Sequence, residues 1–148
     1  MFIQGINHIT LATRNLDVSL AFYTDVLKCQ LVARWPRGAY LTAGNVWLAI
    51  VVDTNCRQAA LPEYTHFAFD VLPADFEVAV QRIREAGAII WQANSSEGDS
   101  LYFLDPDGHK LEIHSTRLYD RLLSAQSNPW EGFELLLEPH LLQGTLAP

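Results

Sequence analysis

Little in this sequence points to a stapled, exported or membrane-bound protein. It holds only two cysteines, Cys29 and Cys56. Two is too few for a disulfide framework, and neither has a neighbour at CxxC spacing, so both read as free thiols. The longest apolar run, Val46 to Val52, is too short to span a bilayer. The N-terminus lacks the basic and apolar regions of an export signal. These absences lead to the expectation of a soluble cytoplasmic protein. Positive charge is also scarce, with 10 Lys and Arg against 17 Asp and Glu and a formal net charge of −7. Nucleic acid or an anionic membrane would each require a basic patch, so neither is expected as a partner. A small anionic ligand stays open, because a metal ion and a few local cations can dominate one pocket.

What is present is an ordinary globular composition, 49% apolar and 18% charged. A chain of 148 residues buries about 70% of its unfolded surface and needs no covalent cross-links. The chain also repeats itself. Ile6–Thr13 reads as a strand, and Asp17–Lys28 as a helix with Asp17 or Asn15 as its N-cap. Strands follow at Gln30–Trp35, Ala39–Ala43 and Val46–Val52, with a Gly44-Asn45 turn. The second half reads as strand Thr65–Val71, helix Asp75–Ala86 ended by Gly87, and strands Ala88–Gln92, Ser100–Leu104 and Lys110–His114. A turn lies at Asp105-Pro106-Asp107-Gly108. His8 falls on His66 and Asp17 on Asp75 at the same offset, and 47–50 falls on 110–113 after a small gap. A duplicated βαβββ unit is the reading these matches support. A third helix is expected over about Thr116–Ala125. The tail beyond Phe133 carries Leu135-Leu136-Leu137 and Leu141-Leu142, which suggests a docking or partner surface.

The duplication singles out three side chains. His8 and His66 sit near the start of equivalent strands, and Glu112 lies on the last strand of the second half, where the first half has Ala49. Two imidazoles and a carboxylate converging about a pseudo-twofold axis would make a three-ligand metal face with open positions. Such a face lets a Lewis-acid ion polarise an oxygen. Against this stand hydrogen-bonded core histidines and a solvated Glu112, and the pattern alone leaves both open. His109, in a turn, is expected to be solvated. His114 shares the strand face of Glu112, so a ligand or supporting role is open to it, with less to favour it than the other three have. Asn94-Ser-Ser-Glu-Gly-Asp-Ser100 is rich in oxygen atoms. It is either a surface loop or a wrapping for a hard cation.

Five segments carry a resemblance to a known family: Gly5-Ile-Asn-His-Ile-Thr-Leu-Ala12, Gly38-Ala-Tyr-Leu41, Tyr64-Thr-His-Phe-Ala-Phe69, Ser96-Glu-Gly-Asp-Ser100 and Tyr102-Phe-Leu-Asp-Pro-Asp-Gly-His-Lys-Leu-Glu112. Together with Asn128–Phe133 they resemble the fosfomycin-resistance glutathione transferases of the glyoxalase-like, or vicinal oxygen chelate, superfamily. The likeness runs over about residues 1–133. It implies an α+β fold of two paired βαβββ modules, about 1–53 and 64–115, plus a C-terminal helix. It further implies an extension over residues 134–148 and a homodimer with swapped halves. It implies manganese or another divalent ion on His8, His66 and Glu112, with ligands from both subunits. It also implies an activating potassium ion in the loop Asn94, Ser96, Glu97, Gly98 and Ser100. An anionic epoxide substrate would meet Ser96, Ser100, Tyr102 and Arg121, and Trp47 would wall the pocket. Thr10 would lie near the epoxide oxygen, and Tyr40 would help ionise the thiol of glutathione, the co-substrate. No protein nucleophile is needed, which agrees with the absence of a Ser–His or Cys–His constellation.

Two departures stand out. Gln92 occupies a position where the family usually has a lysine on the phosphonate, and Ser95 replaces a neighbouring basic residue. Other activities on this fold make distinct demands. A glyoxalase-type isomerase would want a carboxylate at Ala49. An epoxide hydrolase would want one to activate water, yet no Asp or Glu occurs between Asp25 and Asp53. An extradiol dioxygenase shares the two-histidine, one-carboxylate face, but the Ser-rich loop and Arg121 favour an anion over a catechol. A non-catalytic drug-binding protein of the same fold would lack the metal triad.

Overall fold

A computed structural model of the chain describes residues 2–95 and 97–137. The first half runs β1 (His8–Thr13), α1 (Leu16–Ala21), β2 (Gln30–Trp35), β3 (Gly38–Ala43) and β4 (Val46–Val52). The second runs β5 (Phe67–Asp70), α2 (Phe76–Glu85), β6 (Ile90–Gln92), β7 (Ser100–Leu104) and β8 (Lys110–His114), and α3 (Leu118–Ser127) follows. Each half builds one four-stranded sheet, ordered β1-β4-β3-β2 and β5-β8-β7-β6. In each, the outer pair β1/β4 or β5/β8 is parallel and the others are antiparallel. A helical crossover is what permits the parallel pairing within each module.

The duplication holds at the level of register. Thr10 pairs with Ala49 and Tyr40 with Ala49, while Ala68 pairs with Glu112 and Tyr102 with Glu112. Tyr40 is thus the equivalent of Tyr102, and Ala49 of Glu112. Because side chains alternate across a strand, one face of each sheet is apolar. Leu11, Leu41, Leu48 and Ile50 pack with Leu16, Leu20 and Tyr23, and Leu101, Phe103, Leu111 and Ile113 pack with Phe76 and Ile83. The two sets meet at Phe22 and Phe103, whose ring centroids lie 6.3 Å apart. Each such buried aliphatic or aromatic side chain contributes roughly 1.5–3 kcal/mol.

Several expected boundaries move. Helix α1 is shorter than Asp17–Lys28 because the chain widens into a π-helical turn at Phe22–Val26. Asn15, not Asp17, caps it, its side chain accepting from the backbone N–H groups of Asp17 and Val18. The β-region backbone of Asn15 aims its oxygen at those N–H groups, whereas Asp17 already lies inside the first turn. A 3₁₀ turn, Pro73–Asp75, precedes α2, and α3 starts at Leu118 rather than Thr116. Of the apolar tail, Leu141-Leu142 lies outside the described residues.

The turn between β7 and β8 joins the halves. Asp107 accepts hydrogen bonds from the hydroxyls of Thr13 (2.6 Å) and Ser19 (3.1 Å) and from the backbone N–H (3.1 Å) and Nε (2.9 Å) of Arg14. Asp105 accepts from Tyr23 Oη at 2.9 Å. His109, expected in solvent, is only 5% exposed and donates from Nε2 to the Ala12 carbonyl at 2.8 Å. The turn folds inward rather than outward because these polar groups find their partners on β1 and α1. Gly108 (φ 89°) passes so close to the 59–60 backbone that a Cβ would lie 2.7 Å from the carbonyl carbon of Ala59. A side chain is excluded there on both counts.

Burial alone would raise the Asp107 pKa, but the hydrogen bonds from Thr13, Arg14 and Ser19 outweigh it and hold the carboxyl below its usual range. Burial raises Asp105, against the opposing effect of His109 and Tyr23. The signs therefore differ. Asp107 adds stability above the ordinary carboxylate range and loses it as pH falls through its folded pKa, whereas the cost of charged Asp105 is relieved on acidification. Asp107→Asn is expected to lower unfolding free energy at pH 7 by about 1.5–3 kcal/mol. The wild-type chain should also lose more stability than the variant between about pH 5 and pH 3. Urea titrations at several pH values check both.

Candidate functional site

The face of the second sheet turned away from the core gathers most of the expected residues. His66 enters just before β5, Glu112 stands in the middle of β8, Ser100 and Tyr102 lie on β7, and Arg121 comes from α3. A cavity of about 270 Å³ is lined by Tyr64, His66, Ala68, Tyr102, Glu112, His114 and Arg121. Glu112 is 6% exposed, so the alternative of a solvated glutamate falls. Its Oε1 accepts from Ser100 Oγ at 2.7 Å, and its Oε2 lies 2.8 Å from His66 Nε2.

His66 is held firmly. Its Nδ1 donates to the Tyr64 carbonyl at 2.8 Å, and its ring packs near-perpendicular to Tyr64 and Tyr102 at 4.9 and 5.7 Å. Trp91 closes the aromatic wall at 5.8 Å from His66 and 5.3 Å from Tyr102. With Nδ1–H donated to the Tyr64 carbonyl, Nε2 is the ring nitrogen turned toward a carboxylate oxygen. An imidazole nitrogen facing a carboxylate oxygen is a donor pair that a divalent ion can join. A neutral imidazole with its other nitrogen on a backbone carbonyl is the usual state of a metal-ligating histidine. The donor set therefore fits a divalent ion.

Arg121 supplies the cation at the far side of the cavity, its guanidinium 5.8 Å from the centroid of Trp130. Gln92 lies at the cavity's edge, its Nε2 donating to Tyr64 Oη at 3.3 Å. In the loop that precedes β7, Asn94 Nδ2 donates to the Gly98 carbonyl at 2.9 Å, and Glu97 is exposed. Ser96 lies outside the described residues.

The remaining expected residues form a second cluster on the first sheet. His8, Thr10, Tyr40 and Trp47 share its outer face, with Tyr40 and Trp47 39% and 38% exposed. His8 Nδ1 is 2.8 Å from Asn7 Oδ1, and the His8 and Trp47 rings lie 4.5 Å apart. Tyr40 packs edge-on between Trp35 (4.7 Å) and Trp47 (5.1 Å). Within one chain the two clusters do not meet. Among the described residues no group of three or more His, Cys, Asp or Glu is placed to hold a metal ion. Tyr64 and His114 line the cavity beside the expected ligands and substrate contacts. His114 had a visible signal, its shared strand face with Glu112. Tyr64 stands in a segment that carries the resemblance, and it meets His66 through both its carbonyl and its ring.

Residues 5–113 match the Glyoxalase/Bleomycin resistance protein/Dioxygenase superfamily. The chain belongs to this superfamily, in its fosfomycin-resistance group. It is 47% identical over 133 residues to a glutathione transferase, FosA, from Serratia marcescens, covering 88% of this chain and 94% of that protein. It is 36% identical over 126 residues to a metallothiol transferase, FosB, from Staphylococcus epidermidis, covering 82% and 89%. Among solved structures, the fosfomycin resistance protein FosX from Mesorhizobium loti matches with TM-score 0.70 and 30% identity over 82% of this chain and 99% of that one. The Listeria monocytogenes FosX, solved with Mn(II) and sulfate, matches with TM-score 0.71 and 26% identity over 83% and 98%. No helix among the described residues is long and apolar enough to cross a membrane.

The chain's own thiols stand apart from both clusters. Burial pushes Cys29 up to about 11, and burial followed by the nearby Asp107 raises Cys56. Neither offers a ready thiolate near neutral pH. A thiol-specific reagent at pH 7.5 should label the native chain slowly and both cysteines rapidly once the chain is unfolded. Fast labelling of the native protein would contradict this, and a colorimetric thiol assay reads it directly.

Proposed function

We propose that this chain is a divalent-metal-dependent glutathione transferase that opens the epoxide of fosfomycin, with manganese as metal and potassium as activator. The observation that carries the reading is the pairing of a half-buried His66 and a buried Glu112 with an arginine in the lining of one small cavity. A divalent ion held by His8, His66 and Glu112 would supply Lewis-acid polarisation of a substrate oxygen. The rest is positioning by the chain's own groups. Arg121 and the hydroxyls of Ser96 and Tyr102 would hold a phosphonate beside Ser100, and Trp47 would wall the pocket, so that one epoxide carbon faces the incoming sulfur. Tyr40, braced between Trp35 and Trp47, would donate a hydrogen bond that favours the glutathione thiolate. The sulfur–carbon bond forms as the carbon–oxygen bond breaks, and the freed oxygen, beside Thr10, ends as a protonated hydroxyl. Asn94, Ser96, Glu97, Gly98 and Ser100 would wrap the potassium ion. A water-adding reaction would need a carboxylate base on the first sheet's face. That face presents His8, Thr10, Tyr40, Trp47 and Ala49, which favours an external thiol.

Completion of the site calls for a second copy. The first sheet's polar face is open, and the second sheet's ligand face holds two of the three ligands. In a homodimer each face would meet its complement from the partner chain, which is the isologous contact a twofold axis provides. His8→Ala and Glu112→Ala are each expected to abolish glutathione addition to fosfomycin. Mixed and allowed to exchange subunits, they should regain part of the wild-type rate, because one of the two sites is then intact. Sedimentation and elemental analysis accompany the assay. An active, metal-loaded monomer, or a Glu112→Ala chain with full metal content, would refute the reading.

Gln92 sets a limit on anion affinity, since a neutral amide replaces a charge-assisted contact. Gln92→Lys should lower the KM for fosfomycin by about ten- to hundredfold, or about 1.5–3 kcal/mol. The gain should shrink with added salt, while KM for glutathione stays constant. Steady-state kinetics at two ionic strengths checks this.

A further inference from the structure

We infer that His114 and Thr116 are positioning residues for Glu112, completing with Ser100 a hydrogen-bond relay that selects which carboxylate oxygen faces the cavity. The relay is directional. Glu112 Oε1 can only accept, so Ser100 Oγ donates its one proton to it at 2.7 Å. Ser100 must then accept from His114 Nδ1, which lies 2.6 Å away and also 3.3 Å from Oε1. With its proton on Nδ1, the neutral ring leaves Nε2 as an acceptor, and Thr116 Oγ1 stands 2.6 Å from it. In this arrangement every link has one donor and one acceptor. The far end is fixed by backbone. A Cβ built on Gly98 would lie 2.5 Å from Thr116 Oγ1, so the loop backbone leaves Thr116 little room, and Ser115 N–H donates to the Asp99 carbonyl at 3.2 Å.

The consequence falls on Oε2. With Oε1 tied to Ser100 and His114, the carboxylate cannot rotate, and Oε2 is the oxygen set 2.8 Å from His66 Nε2. A ligating carboxylate that is itself hydrogen-bonded is pre-aimed, and partners of this kind are worth about 10–100-fold in metal affinity. The inference rests on the proposed metal site, but its first test does not.

Nitrogen NMR of the metal-free, full-length chain labelled in its histidines reads the ring directly. His114 is expected in the Nδ1–H tautomer, and the opposite tautomer would overturn the relay. Mn²⁺ titration followed by electron paramagnetic resonance reads the consequence. His114→Ala should raise the dissociation constant by about 10–100-fold. His114→Asn, whose amide donor falls where Nδ1 was, should restore most of the affinity. Thr116→Val, nearly isosteric, should keep the metal-free melting temperature and lose affinity by a smaller factor. Wild-type affinity in His114→Ala and Thr116→Val would overturn the relay while leaving the metal site standing. Equal losses in His114→Ala and His114→Asn would reduce His114 to a packing residue. A wild-type chain that takes up no Mn²⁺ would overturn the metal reading, and with it the relay's purpose.

Discussion

Asp107 sits almost out of solvent at the tip of a turn in the second half and accepts hydrogen bonds from Thr13, Ser19 and Arg14, all in the first. Each module could bury one face of its own sheet under its own helix. The shared core at Phe22 and Phe103 joins the two, but apolar contact is non-directional and leaves some freedom in their relative angle. The turn removes that freedom by placing a carboxylate where four donors converge, with Asp105, Tyr23 and His109 repeating the tactic beside it. A charged group taken out of water is costly unless fully partnered, so only one relative placement of the modules satisfies it.

That placement decides what the open faces can do. In both sheets the alternation of the pleat sends apolar side chains to the helices and polar or aromatic ones to the other side. The first sheet's outer face is His8, Thr10, Tyr40 and Trp47, exposed. The second sheet's is Glu112, Ser100 and Tyr102, roofed by Tyr64, Trp91 and α3. One duplicated plan thus supplies two unlike faces. The difference traces to single positions: Ala49 where the other half has Glu112, and Ala33 where it has Gln92. The buried half has the fixed geometry. Its histidine is held by a backbone carbonyl and an aromatic wall, and its carboxylate by a serine and a second histidine.

Much of this was legible without coordinates. The His8/His66 offset, the βαβββ order and the β2, β4, β7 and β8 boundaries follow from periodicity and turn residues, which are local properties. Glu112 between Leu111 and Ile113 declared its face through the pleat alone. His109 did not, because a histidine after Asp-Pro-Asp-Gly has the look of a solvated turn residue. Its partner, the Ala12 carbonyl, is 97 residues away. The helix cap went to Asn15 rather than Asp17 because the chain had already entered the helix at Leu16, a difference of backbone angle that composition does not encode.

The division has a physical basis. Residue type, spacing and the two-residue period of a strand are carried by the chain locally, so the duplicated fold, the faces and the candidate side chains His8, His66 and Glu112 could be read from the sequence. Distances between residues remote in the chain depend on how the modules pack. Only the tertiary structure decided that Glu112 is buried, that His66 turns Nε2 toward it and that His8 belongs to a separate face. The same packing placed Ser100, His114 and Thr116 in line behind the carboxylate, where a few tenths of an ångström separate a hydrogen bond from a bare contact.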